Sequence, residues 1–231
     1  YGIDIDTHAV EVAKFSLLIK LIEGETEPSV AEAVPILPNL DDNIRFGNSL
    51  VSENELNGIS DVDDQMIDIA PLNWDMINNG SGFDAIIGNP PYVNTEGMHM
   101  LLPSAEVDIY KKKYKTSYKQ FDKYFIFIEQ AINKINENGL VCYIVPNKFF
   151  KVGAGEKLRG LIAREQMLVS LDDFSDAQLF EDKTIYSSII LLSKKKQATF
   201  VYSSVESTNK LWAGEEVSSI ELNSSVLNKL P

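Results

Sequence analysis

The chain has a single cysteine, Cys142, and only two histidines, His8 and His99. One thiol excludes a disulfide scaffold and a cysteine-based zinc site, and it fits a reducing, cytoplasmic compartment. The two histidines are far apart, lack a cysteine partner and form no helical pair, so no metal site is expected. No apolar run approaches the ~20 residues that cross a bilayer, so no membrane partner is expected. An initiator methionine and a signal-peptide pattern are both missing. The chain opens in mid-element at Tyr1-Gly2-Ile3-Asp4 and reads as a piece of something longer. Positive charge is scarce too: 21 Lys+Arg stand against 34 Asp+Glu, a formal charge of −13. That total argues against nucleic acid, because phosphate binding needs clustered cations.

What is present changes that first impression. The 231 residues are 44% apolar and 10% aromatic, enough for a sizeable core in one large α/β domain, or one domain with part of another. Charge is segregated along the chain. Between Arg45 and Lys111 there is no Lys or Arg, while eleven acidic residues fall between Glu53 and Asp108. Lys111, Lys112, Lys113, Lys115, Lys119 and Lys123 then arrive together, interleaved with Tyr110, Tyr114 and Tyr118. A solvated helix face is the plain reading of such a run. The interleaved aromatics keep a role in contacting a nucleic-acid backbone open.

Strands and helices alternate. Tyr1–Ile5 reads as the end of a strand, Asp6 as a helix cap, and Val10 to Leu21 as a helix closed by Gly24. A strand follows at Ile44–Phe46, a helix is predicted near Asp64–Ile77, and Phe83–Gly88 is a short apolar strand. Residues 94–119 read as a helical insertion. The clearest helix spans 121–138, with Phe121, Tyr124, Phe125, Ile128, Ile132 and Ile135 at steps of three and four and Gly139 as its stop. Leu140–Val145 is a continuous apolar run, as in a parallel strand covered on both faces. A helix near Glu156–Arg164 and strands near Leu168–Leu171, Ile185–Leu192 and Thr199–Tyr202 complete the pattern. These elements predict an α/β fold, a mostly parallel sheet with helices on both faces. Residues 1–203 form the expected domain; 204–231 read as linker or the start of another.

Ligands of open α/β sheets bind outside the carboxyl ends of the strands, where Asp4 and Asn89 are both predicted to lie. Asn89-Pro90-Pro91-Tyr92 is the most informative segment. Two prolines fix φ twice in succession and remove two amide donors. Asn89, preceding proline, is pushed into extended geometry. The product is a stiff corner offering the Asn89 amide, the Pro90 carbonyl and the Tyr92 ring. Two acceptors beside one aromatic face suit a planar ring with an exocyclic NH2. A rigid turn, or a polyproline ligand in exposed sequence, would look similar, but this segment abuts an apolar strand.

Phe83 to Tyr92 resembles motif IV of the S-adenosylmethionine-dependent DNA (adenine-N6) methyltransferases, and other stretches agree in order. Tyr1 to Asp6 resembles motif II, which implies that Asp4 holds the cofactor ribose and Ile5 packs on its adenine. Phe46 to Leu50 resembles motif III and implies an adenine contact from Asn48, with Ser49 beside it. Gly139 to Phe149 is similar to motif VI. Phe174 to Leu192 resembles motif VIII, in which an aromatic residue stacks on the flipped base; Phe180 is the first assignment and Tyr186 the second. The resemblance covers about residues 1–203 and points to the methylase domain of the large type II/IIG restriction–modification enzymes. It implies a Rossmann-like methyltransferase fold, truncated before its first strand because the glycine-rich motif I is missing.

The implied function is methyl transfer from S-adenosylmethionine to a flipped adenine in double-stranded DNA, in a prokaryotic cytoplasm. Asn89, Pro90, Pro91 and Tyr92 would act at the amine, and Lys111, Lys112, Lys113 and Lys115 on the DNA backbone. A recognition domain is expected elsewhere, and the fragment alone is expected to be weak or inactive. Two other functions fit the same residues: methylation of a protein glutamine amide, and a catalytically inactive DNA-positioning subunit. Among bland readings, Cys142 is expected as inert core, and Asp172 and Asp173 as solvated strand-end acids.

Overall fold

A computed structural model of the chain describes residues 1–23, 38–56, 69–175, 177, 186–209, 213–215 and 217–229. The chain divides into two compact units, residues 1–81 and 82–231.

In the first unit, β1 (Gly2–Asp4) and β2 (Ile44–Phe46) pair in parallel, as their sequences predict. The helix between them, α1 (Thr7–Ile22), begins where Asp6 adopts extended geometry and accepts the amides of His8 and Ala9. Those bonds satisfy two first-turn donors and hold the Asp6 carboxyl below the usual carboxylate range. Val10 is buried, while Val12, Phe15 and Leu21 on the same helix are exposed. The stop at Gly24 and much of the helix predicted near 64–77 lie outside the described residues. Between Pro71 and Gly80 there is no α-helix, only short 3-10 turns at Trp74–Met76 and Asn78–Gly80. Pro71 supplies the reason: it lacks an amide donor and keeps Ala70 out of the right-handed helical region, at φ 49°.

The second unit is built on six strands: β3 (Phe83–Gly88), β4 (Ile135–Pro146), β5 (Leu168–Asp173), β6 (Ser187–Ser193), β7 (Thr199–Ser204) and β8 (Ser218–Asn223). Their spatial order is β3-β4-β6-β5-β7-β8. β3 is parallel to β4 and β5 to β7, while β6 runs antiparallel to both β4 and β5. The α/β class is as expected, with a sheet more mixed than the apolar runs suggest. β6 contributes the antiparallel pairings on both sides, and apolar strand runs carry no signal of strand direction. β8, from the polar stretch read as linker, adds an antiparallel edge to β7. Edge strands are commonly polar, which disguises them in sequence.

The helices are α2 (Thr95–Leu101), α3 (Ser104–Lys113), α4 (Lys123–Lys134) and α5 (Glu156–Arg164). The first two form the predicted insertion. α4 buries Tyr124, Phe125, Ile128 and Ile132, the face its periodicity predicts. It stops at Lys134 rather than at residue 138. Ile135 is already extended, and Asn136, Asn138 and Gly139 are poor helix formers. Gly139 instead sits at an irregularity in the β3–β4 register, where a Cβ would meet the Phe83 carbonyl oxygen at 2.7 Å. Cys142 is half-buried on β4, and burial pushes its thiol pKa up.

The register sets where chemistry can occur. Gly88 pairs with Tyr143, Pro146 with Ser187, and Asp173 with both Ser188 and Ser204. The carboxyl ends of β3, β4, β5 and β7 therefore gather at one edge of the second unit, with the amino end of β6 among them.

Candidate active site

Within the second unit, Asn89 leaves β3 at that edge. Asn89 is exposed, Pro90 is buried, Pro91 is exposed and Tyr92 is half-buried. The corner is thus anchored by one proline, with the Asn89 side chain open and that of Tyr92 half-buried. Gly88, just before it, packs closely on β4, where a Cβ would come within 3.2 Å of the Tyr143 ring.

The Tyr92 hydroxyl lies 2.5 Å from Asn89 Oδ1 and 3.0 Å from the carbonyl oxygen of Ile144 on β4. It carries one proton and can donate to either oxygen. Burial pushes the Tyr92 pKa up to about 12, so the phenol stays protonated and remains a donor. Asn89 Oδ1 has two lone pairs, so one bond from Tyr92 fixes the amide and leaves a second acceptor site. The Tyr92 ring meets Tyr124 edge to face, with centroids 6.0 Å apart and planes at 80°. Tyr124 is itself fixed: its hydroxyl donates to the Pro146 carbonyl at 3.2 Å, and it packs edge-on against Phe125.

The segment after Tyr92 is tied to the start of α4. The Lys123 amide donates to the Val93 carbonyl at 2.8 Å, and Asn94 bridges Asp122. The buried Asp122 pairs with the half-exposed Lys148. On the far side of β4, the Asn147 amide donates to the Tyr186 carbonyl at 2.8 Å, and the Tyr186 side chain is exposed. Asn147 Nδ2 donates to Asp173 Oδ1 at 2.9 Å, and the Ser175 amide bonds the same oxygen at 3.0 Å. The Tyr202 hydroxyl lies 3.2 Å from Asp173 Oδ2. Asp173 is therefore not the solvated acid the sequence suggests but a half-buried clamp over three segments. Its donors are dispersed at positions 147, 175 and 202, so no local motif announces it.

The lysine-rich segment divides. Lys111, Lys112 and Lys113 fall in the last turn of α3, where cations meet the helix dipole favourably. Lys111 Nζ is 3.3 Å from His99 Nε2, and the Lys115 amide is bonded by Glu129. Tyr110 and Tyr114 are core residues, not interleaved surface aromatics. A four-residue spacing put them on the inner side of the helix, a signal the sequence did carry.

In the first unit, Asp4 is exposed at the end of β1, with Oδ1 accepting the Asp6 amide at 2.8 Å. Ile5 is exposed beside it. Asn48 is buried and closes a turn, its Oδ1 accepting the Leu50 amide at 3.0 Å, and Ser49 is half-buried. An exposed carboxylate beside an exposed branched apolar chain, at a strand's carboxyl end, suits a ribose diol next to a flat base. Phe180 lies outside the described residues.

A family model described as the Eco57I restriction-modification methylase matches residues 1–180. The chain belongs to that family. It is 44% identical over 216 residues to the type II restriction enzyme and methyltransferase RM.Eco57I of Escherichia coli, covering 94% of this chain and 21% of that protein. It is 32% identical over 114 residues to the type II methyltransferase M.PaeR7I of Pseudomonas aeruginosa, covering 49% and 19%. The chain thus spans about a fifth of the length of these relatives. Among solved structures it resembles the type ISP restriction-modification enzyme LlaGI, with a TM-score of 0.63, 15% identity, and 95% and 20% coverage. It also resembles the EcoKI M protein of a type I restriction enzyme, with a TM-score of 0.54, 15% identity, and 90% and 35% coverage. At this identity the two solved structures speak to the fold alone, which this chain shares with them.

Proposed function

We propose that the protein containing this chain transfers a methyl group from S-adenosylmethionine to the N6 amine of an adenine flipped out of double-stranded DNA. The observation that carries the reading is the open corner at the end of β3, where Asn89 is exposed and hydrogen-bonded to a phenol that remains protonated. When bound, S-adenosylmethionine supplies a methyl carbon on a sulfonium that an amine can attack directly. The second lone pair of Asn89 Oδ1 and the Pro90 carbonyl accept the two N6 protons. Holding both protons concentrates and aims the nitrogen lone pair. Transfer would leave the donor as a neutral thioether, and the methylated nitrogen would lose to water one of the two protons held by Asn89 and Pro90. No strongly basic side chain is needed.

Asp4 and Ile5 would hold the ribose and adenine of the methyl donor, with Asn48 and Ser49 shaping the turn beside them. Flipping a base costs a few kcal/mol. Stacking on the Tyr92 ring, at ~1–3 kcal/mol per base, offsets most of that. Tyr186, exposed at the same edge, is the second candidate for stacking. Lys111, Lys112, Lys113 and Lys115 would meet the backbone of the duplex. Among the described residues no helix is long and apolar enough to cross a membrane, and a cytoplasmic location suits a DNA substrate.

Radiolabelled methyl incorporation tests the reading. The natural protein, given duplex DNA and a cell protein extract, should label DNA, and nuclease digestion should yield N6-methyladenine. Label in protein glutamine, or in a cytosine, would overturn it.

A further inference from the structure

Tyr118 is the one tyrosine of the lysine-rich run that is not core. It is half-buried, with Lys119 Nζ 4.8 Å and Lys157 Nζ 5.1 Å from its ring centroid. Two ammonium groups are thus held no more than about 10 Å apart by one aromatic ring, in a chain of net charge −13. Glu156 is the carboxylate beside them, 3.9 Å from Lys119 Nζ, with both side chains more than half exposed. Among the described residues no carboxylate lies within ion-pair distance of Lys157 or of the exposed Lys151. The ring quadrupole attracts each exposed cation by about 0.5–1 kcal/mol and holds the pair together against a weak mutual repulsion that carries its own cost.

The backbone adds a second cost. Lys119 has φ 55°, the left-handed region in which a residue with a Cβ is strained by about 1–2 kcal/mol. Lys119 is thus held at a strained position with its ammonium group on the Tyr118 ring.

The location is also specific. Lys119 stands three residues before Asp122, which bridges Asn94 two residues after Tyr92 and pairs with Lys148. The glycine-rich turn following Lys151 approaches Lys119 as well, a Cβ on Gly153 falling 3.7 Å from Lys119 Nζ. Arg159 holds that turn in place by donating to the carbonyls of Phe149 and Val152. Lys119 and Lys157 therefore form a basic pair on Tyr118, in the segment that leads into Asp122 and its bridge to Asn94.

We infer that this surface, centred on Tyr118 with Lys119 and Lys157, binds the phosphodiester backbone of the DNA next to the flipped nucleotide. The inference rests on DNA being the substrate and extends the contact surface beyond the end of α3. Phosphate contacts are independent of sequence, so any duplex reports on them. Each lysine that neutralises a phosphate contributes about 0.9 to the slope of log K against log salt.

The test is a salt titration of duplex binding by the natural protein and by the double variant Lys119→Gly, Lys157→Gln. Glycine suits φ 55° and relieves the strain, so the first change removes charge without threatening the fold. The double variant should bind more weakly at low salt, with a slope shallower by about two. Lys195→Gln with Lys196→Gln, beyond the opposite end of β6, should alter neither. A Lys119/Lys157 variant matching the natural protein in slope and affinity would overturn the inference, even where the natural protein methylates DNA normally. A slope difference that persists while no DNA methylation is found would uphold the surface and overturn only the methyltransferase reading.

Discussion

The phenolic oxygen of Tyr92 stands 2.5 Å from Asn89 Oδ1, so the two side chains flanking the proline pair behave as one hydrogen-bonded unit. The amide is therefore oriented before any substrate arrives, and orientation achieved beforehand costs nothing during reaction.

Tyr92→Phe keeps the ring and removes the donor. A net hydrogen bond of about 1–1.5 kcal/mol corresponds to a loss of about tenfold in the single-turnover rate of DNA methylation, with DNA affinity little changed. Tyr92→Ala also forfeits stacking worth ~1–3 kcal/mol and should weaken binding of the flipped base as well. A phenylalanine variant as fast as the natural protein would remove the hydroxyl from the account.

The alkaline limb of stability follows from the same tyrosine. Tyr92 and Tyr143 are both pushed up to about 12 by burial, from an ordinary value of 10.0. Above pH 10 the unfolded chain releases these protons while the folded chain keeps them, so stability falls as pH rises from 10 to 12. Below pH 10 their contribution is fully present. Urea titrations should show a midpoint that declines over that window, with a smaller decline in Tyr92→Phe and Tyr143→Phe. An unchanged decline in both variants would assign it to other groups.

Two glycines of one turn and helix should respond in opposite directions. A Cβ on Gly155 would lie 2.1 Å from the Phe149 carbonyl oxygen, while a Cβ on Gly160 meets nothing within 4 Å. Gly155→Ala forces the 149–155 turn apart and disturbs the Arg159 bonds that hold it, at a cost of about 2–4 kcal/mol. Gly160→Ala in the interior of α5 should instead stabilise by about 0.5–1 kcal/mol. Equilibrium unfolding of both variants checks the pair, and shifts of equal sign would contradict it.

Much of the corner's geometry was legible because its signals are local. Asn89-Pro90-Pro91-Tyr92 announces a rigid corner by chain chemistry alone, and the apolar run before it announces the strand that carries it. The partners that fix the corner are backbone carbonyls far along the chain; Ile144 is 52 residues from Tyr92, and a carbonyl has no sequence signature. Asp173 was misread for the same reason, its donors coming from three separate segments. The end of α4 was misplaced by four residues because Ile135 continues the helical apolar spacing while already lying in β4. Tyr110 and Tyr114 show the reverse case. Their spacing pointed inward, and the charge around them drew attention outward.

The central claim is that Asn89 grips the amine that is methylated, and it is tested most directly by Asn89→Ala in the natural protein. Asn89 is exposed, and its removal should leave the fold intact. Methyl transfer to duplex DNA should be abolished, while calorimetry should show S-adenosylmethionine binding with affinity nearly unchanged. Methylation of DNA at the natural rate by that variant would contradict the account.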